Sequence, residues 1–177
     1  RPDVLDVALA GLARAGQKAA VYVTPTLHNP TTATMGEARR REIVAIARAH
    51  DALIVEDDVY SLFTPPDLPT LAVLAPERTF YVGGLSKTLN PGLRLGLLIA
   101  PPRLVEAAAS GLAATSSMAS PIAAVVMERW VLDGTAASIA ASIRLEVAAR
   151  SALARALLPQ AIVPSSRSWK TCAPPTA

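Results

Sequence analysis

Apolar residues recur at helical spacing over residues 4–15, where Val4, Leu5, Ala8, Leu9 and Leu12 share a face, and the pattern stops at Gly16. The apolar run over 19–24 reads instead as a buried strand, closed by the turn residues Asn29-Pro30. Residues 37–50 return to the helical period, with Ile43, Val44, Ile46 and Ala47 inward. A second strand over 52–56 ends on the acidic residues Asp57 and Asp58, and Pro65, Pro66 and Pro69 break the next segment into a loop. Strands over 79–82 and 95–100 flank a polar, glycine-containing loop that carries Lys87. After Pro101-Pro102 the spacing predicts helices over 103–114, 121–132 and 136–158, the last offering Ile139, Ile143, Val147 and Leu153 for packing. Periodicity ends at Pro159, and residues 159–177 read as a disordered or aberrant tail of the kind a shifted or truncated reading frame produces.

Strand, loop and helix alternate, which predicts an α/β fold with a mostly parallel sheet and helices on both faces. The connection between the strands at 79–82 and 95–100 is too short for a parallel crossover, so the last strand is expected to run antiparallel. In such sheets, chemistry gathers at the carboxyl ends of the strands.

Composition narrows the class. The chain has 177 residues, 51% of them hydrophobic, and a mean hydropathy of +0.36, enough for a core and against disorder as a whole. The net charge of +3 is scattered. Its one cluster, Arg39-Arg40-Arg41, falls in the first turns of a helix and reads as a solvated face, not a nucleic-acid contact. The single cysteine, Cys172, excludes an internal disulfide and a cysteine-based metal site, and no metal is expected. No apolar stretch reaches membrane-spanning length, and a cytoplasmic setting is expected. The chain begins at Arg1, so an upstream targeting segment or DNA-binding domain stays open.

The chemistry converges on Lys87. A lysine behind an apolar strand loses its proton cheaply, because burial disfavours the ammonium, and a neutral amine forms a Schiff base with an aldehyde. Seven residues on, Arg94 offers a fixed cation between glycines that let a bulky anion approach the backbone. An amine for an aldehyde beside a guanidinium for a phosphate suggests pyridoxal 5′-phosphate. Plainer readings stand beside each residue: Asp57 and Asp58 as turn residues, Tyr60 as a half-buried aromatic, Asn29-Pro30 as a turn, Arg94 as a surface cation. His28 reads as a loop residue, and His50 as a cation at the negative pole of a helix.

Three segments together carry a family resemblance. Asn29-Pro30-Thr31-Thr32 resembles the Asn-Pro-Thr-Gly loop of class I/II aminotransferases, with Thr32 in the glycine position. Asp57-Asp58-Val59-Tyr60 resembles their Asp-x-x-Tyr strand end, and Ser86-Lys87 with Arg94 resembles the lysine segment, in the same order. Residues 86–96, with Glu128-Arg129-Trp130 and Ile143-Arg144-Leu145-Glu146, look most like the MocR-type and LysN-type branch. The resemblance covers about residues 1–158 and implies part of the fold-type I large domain over 1–112, with 113–158 leading towards a small domain. It implies a Schiff-base role and proton shuttling for Lys87, pairing of Asp57 with the pyridine nitrogen, and donation from Asn29 and Tyr60 to the phenolic oxygen. Arg94 would take the phosphate.

The function so implied is amino-group transfer between an amino acid and a 2-oxo acid, by a chain inactive alone and a homodimer at full length. The alternative is the effector or cofactor-sensing domain of a MocR-type regulator of the GntR family, which meets DNA only through a domain outside this chain. The pattern is broken at Gly84, where family members carry Ser or Thr. Thr115, Ser116 and Ser117 lie where a partner subunit's hydroxyl sometimes reaches across in that family, although such clusters are usually loops.

Overall fold

The structure, a computed structural model, describes residues 1–63 and 68–158; the expected tail, Cys172, Pro65 and Pro66 lie outside them. Four strands form one sheet in the order β1 (Ala20–Val23), β2 (Leu53–Asp57), β3 (Thr79–Gly84) and β4 (Gly96–Ile99). The first three are parallel, and β4 runs antiparallel to β3 with Gly84 opposite Gly96, as the short connection requires.

Helices α1 (Pro2–Arg14), α2 (Glu37–Ala49) and α3 (Leu71–Leu74) provide the cover for one core. Leu9 of α1, Val44 and Ala47 of α2 and Leu71 of α3 pack with Val21, Ala52 and Ile54. Burying each larger aliphatic side chain contributes about 1.5–3 kcal/mol. Beyond β4 come α4 (Val105–Ser116), α5 (Pro121–Leu132) and α6 (Thr135–Leu157), with α5 against α6 and α6 reaching the turn Ser61–Phe63. Of the α6 residues offered for packing, Ile139 and Ile143 are half-buried while Val147 and Leu153 are exposed. Leu97, Leu98 and Ile99 of β4 are exposed on both faces of the strand.

Helix α3 is absent from the sequence pattern because four residues are too few to show a period. It forms because its N-terminal N–H groups find partners. Thr70 Oγ1 accepts from Val73 N, and both Glu56 carboxylate oxygens accept from Leu71 N and Ala72 N at 2.9 Å. His50 Nε2 lies 2.7 Å from Asp6 Oδ1, tying the end of α2 to α1.

Near the amino end of β3, Glu77 receives Arg48 Nε at 3.0 Å and Arg78 Nε at 3.1 Å. The hydrogen bond from Arg48, ahead of the other contacts, pulls the Glu77 carboxyl down from 4.5 to about 2. A carboxyl depressed in the folded state contributes stability above its unfolded value, and that contribution is lost as pH falls from 4.5 towards 2. The group is about half exposed, so screening keeps the effect below about 1 kcal/mol. Glu77→Gln is therefore expected to flatten this acid limb in urea-unfolding midpoints at low ionic strength. An unchanged limb would remove Glu77 as its source.

Candidate active site at the carboxyl end of the sheet

The expected site residues occupy consecutive turns at one end of the sheet. Asn29 follows β1, Asp57 closes β2 with Tyr60 just beyond, Lys87 follows β3, and Arg94 precedes β4. Strands β2 and β3 are hydrogen-bonded neighbours, and Asp57 pairs in register with Val82, five residues before Lys87. Because β4 is antiparallel, its beginning returns to the same end, which brings in Arg94.

The Asn29 loop is held by its own polar side chains and by unusual backbone. His28 Nδ1 meets Thr31 Oγ1 at 2.8 Å, His28 N donates to Ala33 O, and Thr34 Oγ1 accepts from Leu27 N. His28 is thus a loop organiser. Thr32 has φ 58°, a left-handed backbone that a β-branched residue adopts only at a cost, which is why glycine suits this place in the resembling loop. Asn29 is exposed, and its bond to Pro30 is cis.

The two adjacent aspartates have opposite environments because successive residues of a strand face opposite ways. Asp57 is half-buried. Its Oδ2 accepts from Tyr22 Oη at 2.5 Å, and its Oδ1 has a long 3.4 Å contact from Val59 N. Asp58 is buried; its Oδ2 accepts from Tyr81 Oη at 3.1 Å and its Oδ1 has no partner. Tyr60 is half-buried at the turn Ser61–Phe63.

Lys87 is exposed, which departs from the expectation of an amine enclosed by apolar neighbours. The reason is its place: β3 ends at Gly84, and Lys87 lies beyond the last paired residue on the open end of the sheet. Arg94 is also exposed and adopts φ 51°, ψ 36°, a left-handed conformation that a non-glycine residue rarely keeps. Asn90 Oδ1 accepts from Gly92 N at 2.7 Å and shapes the turn leading to it.

Gly84 has a packing reason. A Cβ built there would meet Val59 Cγ1 at 3.0 Å, so Val59 fills the room that a side chain at 84 would need. Gly84→Ala is expected to lose about 1–2 kcal/mol by overpacking, and to cost nothing in a Val59→Ala background. A double-mutant cycle from urea unfolding measures this coupling, and additive losses would refute it.

The largest error in the sequence-based picture is Arg40. It is 1% exposed, not part of a solvated face. Its guanidinium donates to Met35 O, Pro69 O, Pro25 O and Thr26 Oγ1, and Nη1 lies 3.6 Å from Glu56 Oε1. One side chain thereby joins the start of α2, the Asn29 loop, the segment before α3 and the residue next to Asp57. Burial pushes the Arg40 guanidinium down and the Glu56 carboxyl up. A run of three arginines gives no sign of which one turns inward; alternation along β2, which puts Glu56 on the core face, was the available hint.

An open hollow of about 450 Å³ lies at the other end of the sheet, lined by Asp51, Glu77, Arg78 and Arg103. Arg78 there is bonded to Ala47 O, Ala52 O, Asp51 and Glu77, which makes it structural. Among the described residues no group of His, Cys, Asp and Glu could hold a metal, and no helix is long and apolar enough to cross a membrane.

Comparison with known proteins matches residues 3–156 to the family described as aminotransferase class I and II. An uncharacterized HTH-type transcriptional regulator of Bacillus subtilis (strain 168), YdfD, is 30% identical over 144 residues, 80% of this chain and 30% of its own. Aromatic-amino-acid aminotransferase 1 of Thermococcus litoralis is 35% identical over 108 residues, 59% of this chain and 26% of its own. The crystal structure of Pyrococcus horikoshii kynurenine aminotransferase in complex with PMP superposes with a TM-score of 0.76 at 29% identity, covering 84% of this chain and 38% of that one. The chain thus spans 30% and 26% of the length of the two sequence relatives.

Proposed function

Because the chain belongs to the aminotransferase class I and II family, we propose that it is a pyridoxal-phosphate-binding portion of a fold-type I protein, with Lys87 as the attachment point. The observation that carries this reading is the convergence of Asn29, Asp57, Tyr60, Lys87 and Arg94 at one end of the sheet. Their chemistry fits the cofactor. Lys87 presents an exposed amine, Arg94 an exposed guanidinium in a turn with Gly92 and Gly96, and Asp57 a carboxylate with one oxygen weakly engaged. Asn29 and Tyr60 bring an amide and a phenol to the same end. When bound, the cofactor supplies an electron sink for carbanion chemistry at an amino acid's Cα.

The protein's own groups have distinct tasks. The Lys87 amine would hold the cofactor through its aldehyde carbon, C=N replacing C=O with release of one water, and once freed would hold or move a proton. Asp57 would hold a ring N–H, Arg94 would hold phosphate oxygens, and Asn29 and Tyr60 would donate to a phenolic oxygen. In the longer protein this reading implies amino-group transfer between an amino acid and a 2-oxo acid, in a homodimer. Residues 1–112 would carry the cofactor and 113–158 lead towards a second domain.

The similarity to an HTH-type regulator over 80% of the chain favours a second context, the effector domain of a MocR-type regulator, with the same pocket reading a ligand. A winged helix-turn-helix encoded upstream of Arg1 would select it. Both contexts are tested first by adding pyridoxal phosphate, reducing with borohydride and locating the mass gain. A label confined to the Lys87 peptide supports them, and a chain that takes no label there rejects both.

A further inference from the structure

Tyr22 has no role in the resemblance or in the proposed function, yet it makes a short bond to the central carboxylate. It lies on β1 opposite Val55, one pleat from Asp57 and on the same face of the sheet. Its hydroxyl donates to Asp57 Oδ2 at 2.5 Å. That occupies one oxygen and leaves Oδ1, with only the long contact from Val59 N, as the oxygen turned to any incoming donor. The side chain is 65% exposed, so this bond does not come from core packing. The hydrogen bond to Asp57 also holds the phenol above its ordinary value.

We propose that Tyr22 is a positioning residue that locks the Asp57 carboxylate, with one oxygen held by the phenol and the other presented to a pyridinium N–H. This rests on the cofactor reading above and deepens it. An aspartate has two equivalent oxygens and a nearly free terminal torsion. On an open sheet face it would spread over several orientations, only some aimed at a ring nitrogen. A phenol fixed by its strand selects one, at little entropic cost because Tyr22 has few rotatable bonds. Neighbouring Asp58 is already buried with Tyr81 on the opposite face, so the selection applies to Asp57 alone.

The test compares two probes on the 177-residue chain: pyridoxal 5′-phosphate, and its 1-deaza analogue, in which a ring C–H replaces the nitrogen. Dissociation constants are read from the visible absorbance of the bound probe. Tyr22→Phe is expected to weaken pyridoxal phosphate about tenfold, the value of one charge-assisted hydrogen bond, and to leave the deaza analogue unchanged. In an Asp57→Ala background the same substitution should have no further effect on either probe. Tyr22→Gln, which restores a donor, should recover part of the loss. Equal weakening of both probes would make Tyr22 a general packing residue and overturn the proposal, as would no weakening of either. A wild-type chain that binds neither probe would reject the cofactor reading itself. A chain that binds pyridoxal phosphate equally with and without the phenol rejects only the role of Tyr22. Thermal unfolding of the phenylalanine variant should match wild type, given the exposure of the site.

Discussion

Lys87→Ala is expected to abolish borohydride-stable attachment of pyridoxal phosphate at position 87, with at least about a hundredfold loss of visible absorbance at fixed cofactor concentration. The chain gives this experiment its own controls, because it has three lysines, Lys18, Lys87 and Lys170. Lys18 and Lys87 are both exposed, so access alone would label them alike. Selectivity for Lys87 has to come from the residues that share its end of the sheet: Arg94 just before β4 and Asp57 at the end of β2, two charges that a phosphate and a ring nitrogen can use together. The expected pattern in wild type is a mass gain on the Lys87 peptide at cofactor concentrations that leave Lys18 unmodified. Lys87→Arg, which keeps the charge but offers no amine for condensation, should behave as the alanine variant does. Equal labelling of Lys18 and Lys87 would mean that the sheet end supplies no site. A label retained elsewhere in Lys87→Ala at the same affinity would move the attachment point.

The second large effect concerns stability. Arg40→Ala is expected to destabilise the chain by about 3–5 kcal/mol, the cost of removing one partner of a buried ion pair. Against a total of about 5–15 kcal/mol for a domain, this is enough to unfold a marginal protein. The loss has two sources. Met35 O, Pro69 O and Thr26 Oγ1 lose the Arg40 donor, Pro25 O is left with Met35 N alone, and Glu56 keeps a buried charge with only the Leu71 and Ala72 N–H groups. The sign of the pH dependence separates them. Burial raises the Glu56 carboxyl above its unfolded 4.5, so its favourable contribution is complete below that value and is lost as pH rises through the folded one. Without Arg40 the folded value climbs further, and the deficit should be smaller near pH 4.5 than near pH 8 in urea-unfolding midpoints. A deficit independent of pH would assign the loss to the missing Arg40 hydrogen bonds. Arg40→Met combined with Glu56→Gln should recover part of it, since no uncompensated charge is then buried.

These two residues show where local pattern stops being informative. Lys87 stands out in sequence because a lysine between apolar strands, with an arginine seven residues on, is a chemical combination readable one residue at a time. The antiparallel β4 was equally legible, since connection length alone forbids a parallel return. Arg40 was misread because its burial depends on three segments that come together only in the fold: the loop after β1, the end of β2 and the residues before α3. Helix α3 escaped notice for the same reason, as its N-terminus is held by Glu56, fifteen residues earlier. Tyr22 carries no local signal in the sequence; it is the register of β1 on β2 that puts it beside Asp57.

By itself the sequence determined the periodicities, the strand ends at which polar residues gather, and the types of group offered there: an amine, a guanidinium, a carboxylate, an amide and a phenol. Those depend on composition and spacing within a few residues, which folding does not alter. Only the tertiary structure decided which of two adjacent aspartates faces the open side, which of three adjacent arginines is buried, and that Lys87 is exposed. Orientation and burial come from strand pairing and layer packing, and both are set by residues far apart along the chain.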